Sequence, residues 1–73
     1  MGIKTYRITT MLRLGILDNA GKAVTTALNR LRFDTVSKVR ISKTFYLTYK
    51  GDINIIAKAL TNEIMETYEV EVL

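Results

Sequence analysis

The stretch Ile16 to Phe33, ILDNAGKAVTTALNRLRF, places the strongest constraint on what this chain can fold into. Its apolar residues Ala20, Ala23, Val24, Ala27, Leu28 and Leu31 recur at three- and four-residue intervals, the period of one apolar helix face. Asp18 or Asn19 stands just before the first of them, where a side-chain oxygen can accept an unpaired backbone N–H. Gly21 falls in the first turn, where it costs less than in a helix interior. The pattern predicts a helix with this face buried and the rest of the chain arranged to cover or flank it.

The flanking segments alternate. In residues 3–14, Tyr6, Ile8, Thr10, Leu12 and Leu14 share one side, while Arg7, Thr9, Met11 and Arg13 share the other. Such alternation is that of a half-buried strand, and Gly15 ends it. Asp34-Thr35 marks a short turn after the helix. Residues 36–49, VSKVRISKTFYLTY, read as strand throughout. A strand usually has about 5–6 residues, so the run is divided into a hairpin turning at Ser42-Lys43. Lys50-Gly51-Asp52 is a break, and Asp52 caps a second helix over about 53–66, with Ile53, Ile56, Ala57, Leu60 and Ile64 on its apolar face. Residues 67–73, TYEVEVL, close the chain as a strand with Tyr68, Val70 and Val72 facing inward and Glu69 and Glu71 outward. The sum is an α+β fold: two-layer βαββαβ, a four-stranded antiparallel sheet with both helices on one face. In the ferredoxin-like arrangement of those elements the last strand lies beside the first, which brings Glu69 and Glu71 near Arg7 and Arg13.

At 73 residues the chain is read as a single domain, 1–73. A core this small leaves a narrow stability margin, for which a partner is a common remedy. It contains neither Cys nor His, which removes disulfides, thiol nucleophiles, imidazole bases and the usual zinc, copper and haem ligands. No apolar run approaches a membrane span, MGIKTY lacks the layout of a signal peptide, and Tyr6 stands where a myristoylation motif wants Ser or Thr. A soluble cytoplasmic protein is expected. The charge is split: residues 1–50 hold ten Lys/Arg and two Asp, net +8, whereas residues 51–73 hold Lys58 against five acidic residues, net −4. Such a division suits nucleic acid or pairing within the fold or between copies of it.

Few residues can carry chemistry. Gly15 and Gly21 are isolated and no Gly-Lys-Ser/Thr occurs, so there is no phosphate loop. Glu63, Glu66, Glu69 and Glu71 read as a solvated helix end and strand face rather than a metal site, and Asp18 as a cap rather than an acid. An RNA-binding sheet would stack bases on aromatics of its open face. Here Phe45 and Tyr49 share the apolar side, only Tyr46 projects with Lys38, Arg40 and Lys43, and the aromatic RNP1 string is absent. Met11, on the open face between Arg7 and Arg13, has nothing of its own chain to cover it and marks an interface.

The run Ile16-Leu17-Asp18-Asn19-Ala20-Gly21, followed by Ala23-Val24, Ala27-Leu28 and Leu31, resembles the PurS subunit of phosphoribosylformylglycinamidine synthase. Val36 and Val39-Arg40-Ile41-Ser42-Lys43 look like that family's Val…Val-Arg-x-Gly-Lys stretch. Leu60-Thr61-Asn62, with the run Ile64 to Glu71, is similar to its ending. Asn19 and Glu63 replace two usual prolines, Arg32 stands where a helix-ending Gly is common, and Ser42 replaces the Gly of Gly-Lys.

The resemblance implies a non-catalytic small subunit that binds no cofactor or metal. It would bridge an ATP-dependent synthetase and a glutaminase and support ammonia transfer in purine biosynthesis, with ATP, Mg and glutamine used by those partners. It also implies a homodimer or tetramer, with no nucleic acid and no membrane. The residues expected at partner interfaces are Arg40, Lys43 and Asn62, with Arg7, Met11 and Arg13 of the open face. A small-ligand regulatory module and an RNA-binding module of the same shape are the alternatives.

Overall fold

A computed structural model describes residues 2–73; Met1, where the N-terminal stretch and the expected domain begin, lies outside the described residues. The elements are β1 (Lys4–Leu12), α1 (Asn19–Arg30), β2 (Ser42–Tyr49), α2 (Ile53–Leu60) and β3 (Glu66–Val72). The sheet has three antiparallel strands in the order β2-β1-β3. The last strand does lie beside the first, with Arg7 opposite Glu71 and Ile8 opposite Val70.

The expected fourth strand and its hairpin are absent. Ser42 and Lys43 do not turn: neither has a positive φ, which a tight two-residue hairpin would require. The chain runs on, and Ser42 pairs directly with Met11 of β1. Residues 36–41 form no strand ladder. The Val39 N–H donates instead to Thr25 Oγ1 at 3.1 Å, and the Ile41 N–H to Asp18 Oδ2 at 2.9 Å. Side chains of α1 and of its N-cap residue thus take the bonds a neighbouring strand would have made.

The core lies on β1. Ile8 and Thr10 are almost wholly buried, Tyr6 nearly so, and Ala57 and Thr61 close over them from α2. Phe45, Leu47 and Tyr49 of β2 share this face by register and are half-buried. Asp52 caps α2 through the Asn54 N–H, as the sequence suggests. The helix stops at Leu60, short of the expected end. Thr61 has an extended backbone, and its hydroxyl donates to the Ala57 carbonyl at 2.7 Å. Ile64, expected on the buried face, therefore lies outside the helix and is exposed.

The position of α1 overturns the reading that the chain is built around it. Only α2 packs on the sheet; α1 makes next to no contact with it. Gly21 is the one buried residue of α1, and Ala20, Ala23, Val24, Ala27 and Leu31 are exposed. The helix leans instead on its own return segment, 36–41, and the two project together from one end of the sheet. The radius of gyration is 15.8 Å, against about 11 Å for a compact chain of this length.

Candidate functional site

Four of the six expected interface residues, Met11, Arg13, Arg40 and Lys43, meet at one end of the sheet. Met11 lies opposite Ser42 and Thr67, and Lys43 opposite Thr10, where β1 ends and β2 and β3 begin. The Arg13 N–H donates to the Met65 carbonyl at 2.8 Å, and its guanidinium donates to the Glu63 carbonyl at 3.2 and 2.8 Å. The Arg40 guanidinium donates to the Leu12 and Arg13 carbonyls. Arg13 and Arg40 thus stitch the α2–β3 turn and the α1 return segment to the end of β1. Met11 is exposed there, and so is Lys43.

The other two candidates have different surroundings. Arg7 sits mid-strand and forms an ion pair with Glu71, the only ion pair among the described residues. Arg13, expected beside the outer glutamates, holds a backbone carbonyl instead, and Glu69 faces Thr9. Asn62 organises the turn before β3. Its N–H donates to Glu66 Oε1 at 2.8 Å, its Oδ1 accepts from the Ile64 N–H at 3.2 Å, and its carbonyl accepts from Met65 and Glu66. The acidic side chains near this turn are thereby dispersed, and among the described residues no cluster of three could hold a metal ion.

Beside this end a cleft of about 540 Å³ opens between α1 and its return, lined by Ile16, Leu17, Lys22, Lys38, Val39 and Arg40. Asp18 closes it: Oδ1 accepts from the Gly21 N–H at 2.7 Å while Oδ2 accepts from Ile41. These two donors, Gly21 foremost, hold the carboxyl below its ordinary value of 3.8, because they stabilise the charged form. Asp18 is the cap anticipated for α1, with a second bond across the cleft mouth.

The part that Gly21 and Thr25 play in holding the return segment was not read from the sequence. A Cβ at Gly21 would overlap the Val39 carbonyl oxygen, so only glycine lets the return segment lie against the helix. Thr25 accepts from Val39 and donates to the Gly21 carbonyl at 3.0 Å. The signal was there: Gly21 and Thr25 are four apart, hence on one side of a helix, beside rather than on the apolar face. Among the described residues no helix is long and apolar enough to cross a membrane.

Comparison with known proteins bears directly on this architecture. A curated phosphoribosylformylglycinamidine synthase subunit PurS from Synechocystis is 36% identical over a 75-residue alignment that covers 90% of this chain and 75% of the relative. The structure of Bacillus subtilis PurS matches with a TM-score of 0.82 at 30% identity, covering 94% of this chain and 96% of that one. A chain in the structure of PurLQS from Thermotoga maritima matches with a TM-score of 0.78 at 26% identity, over the full length of both. The family model described as PurS, phosphoribosylformylglycinamidine (FGAM) synthase, matches residues 5–73, and the chain belongs to that family.

Proposed function

We propose that this chain is the small, non-catalytic subunit of phosphoribosylformylglycinamidine synthase, a ligase complex of purine biosynthesis. It bridges an ATP-dependent synthetase and a glutaminase, and it acts as a homo-oligomer in the cytoplasm. The observation that carries this reading is the family match over residues 5–73, supported by a likeness to a chain of PurLQS over the whole length. On this reading ATP, Mg and glutamine are handled by the partner subunits, and this chain contributes surface and support for ammonia transfer.

The end of the sheet is the surface best suited to bridging. Met11 offers an apolar contact and Lys43 an unengaged cation on a rigid strand, while Arg13 and Arg40 fix the backbone beside them. Arg7 extends the surface along the open face. Asn62 holds its turn in shape and acts through that turn.

Reconstitution tests the reading. The synthetase and glutaminase of the same source are assayed for glutamine-dependent amidine formation with and without this chain, in magnesium and ATP, and their co-purification is followed in magnesium, ADP and glutamine. Activity and co-purification that both require the chain are expected. Full activity without it, or no association with either protein, overturns the reading.

A further inference from the structure

We propose that the cleft between α1 and its return segment is a binding site for an organic phosphate: a phosphate monoester that carries a flat aromatic group, as a nucleoside monophosphate does. This goes beyond the bridging role above and does not depend on it.

Size and rigidity give the first argument. The cleft encloses about 540 Å³, within the roughly 300–1,000 Å³ of small-molecule sites. Its walls are fixed on three sides. Thr25 accepts from the Val39 N–H, Asp18 ties Ile41 to the start of the helix, and Arg40 ties the return segment to the end of β1. A ligand entering there meets a preformed site and has little chain to order.

The lining divides by chemistry. Ile16, Leu17 and Val39 supply an apolar wall, and Lys22, Lys38 and Arg40 supply cations. Asp18 is the one acidic residue of the lining, and both its oxygens already accept backbone N–H groups. Three cations against one carboxylate leave a net +2, the complement of a phosphate monoester, which carries about −1.5 to −2 at neutral pH. The one ion pair among the described residues, Arg7–Glu71, lies on the sheet, so no carboxylate there neutralises Lys22 or Lys38. Arg40 bonds the carbonyls of β1's end through Nη2, which leaves Nη1 and Nε to donate to a phosphate oxygen. A phosphate among the cations, with a flat group laid on Ile16, Leu17 and Val39, uses both halves of the lining. Inorganic phosphate leaves the apolar wall wet, and an uncharged ligand leaves the cations unmatched.

The cleft is also distinct from the apolar stripe of α1. At 3.6 residues per turn, Lys22, Thr25 and Thr26, which line the cleft, lie on the side of the helix opposite Ala20, Ala23, Ala27 and Leu31. Covering the stripe therefore does not fill the cleft. An acidic segment of another protein could meet the cations, but a concave pocket with an apolar wall suits a compact amphipathic anion better than an extended chain.

The test uses the purified full chain alone, so its outcome is separate from amidine formation. Adenosine monophosphate, adenosine and inorganic phosphate are titrated in turn, followed by calorimetry and by the amide spectrum of ¹⁵N-labelled chain. Saturable binding of adenosine monophosphate is expected, weakened by salt and at least about tenfold tighter than that of adenosine or inorganic phosphate. The amide shifts are expected to gather at Leu17, Lys22 and Lys38 to Arg40. Lys38→Glu is expected to weaken the binding at least about tenfold, whereas Lys58→Gln, on α2 and outside the cleft, binds as the wild type does. Should Lys38→Glu lose its far-UV circular dichroism, the wild-type shift map still decides the matter. No saturable binding of adenosine monophosphate, or shifts that gather away from the cleft, overturns the proposal. Inorganic phosphate binding as tightly as the nucleotide overturns the ligand class, since the apolar wall then adds nothing.

Discussion

Arg32 holds a left-handed backbone, φ 72°, at the position just past the end of α1. The Phe33 N–H reaches the Leu28 carbonyl and the Arg32 N–H that of Asn29, which is the bond pattern of a Schellman C-cap. The sequence shows no Gly after the helix, yet the chain adopts the geometry that favours one. A Cβ in this conformation costs about 1–2 kcal/mol, and the greater unfolded-state freedom of glycine offsets about 0.5–1 kcal/mol of that. Arg32→Gly is therefore expected to stabilise α1 by about 0.5–1 kcal/mol, read as slower hydrogen exchange of its amides. Asp18 gives a pH-dependent counterpart. Its carboxyl lies below the ordinary 3.8 in the folded chain, so the unfolded state binds the proton more readily. Its stabilisation is complete above that value and is lost as pH falls through the lowered native one. Exchange at Gly21 and Ile41 is expected to quicken over that acid range. In Asp18→Asn this acid-dependent component is expected to disappear.

At the level of elements, periodicity identified both helices, and alternation identified the three strands and their faces. It could not say which apolar face would be buried. The two helices carry equally regular apolar stripes, but α2 covers Ile8 while α1 covers only its own return. A period reports that a face can be buried, and the partner that buries it lies elsewhere in space. The core assignment is testable. Ile8→Ala removes a wholly buried side chain and is expected to cost about 2–5 kcal/mol. The whole 73-residue chain holds only about 4–11 kcal/mol. Urea denaturation followed by circular dichroism measures it, and loss below 1 kcal/mol would place the core elsewhere. The misread hairpin has a similar origin. Strand length argued for a turn in 36–49, but no residue there could supply one, and Thr25 and Asp18 gave half the run a different set of hydrogen-bond partners.

For the molecule as a whole, the end of the sheet joins residues distant in sequence: Met11, Arg13, Arg40 and Lys43 converge there through the register of β1 with β2 and through the Arg40 bonds. Lys43→Glu reverses a cation that is exposed and engages no described side chain. It is expected to weaken association with the synthetase and glutaminase about tenfold or more while leaving the far-UV circular dichroism unchanged. Pull-down at two salt concentrations measures it, and normal assembly would remove Lys43 from the interface. What the sequence determined by itself was the periods of the elements, the capping roles of Asp18 and Asp52, the split charge and the family resemblance. Each depends on neighbours within a few residues, on simple alternation or on motifs in order. Tertiary structure alone decided that three strands form the sheet, that Gly21 and Thr25 bind the return segment, and that α1 stands away from the core. Those outcomes depend on which of several available partners each backbone group and apolar face meets, and that competition is settled only when the whole chain is in place.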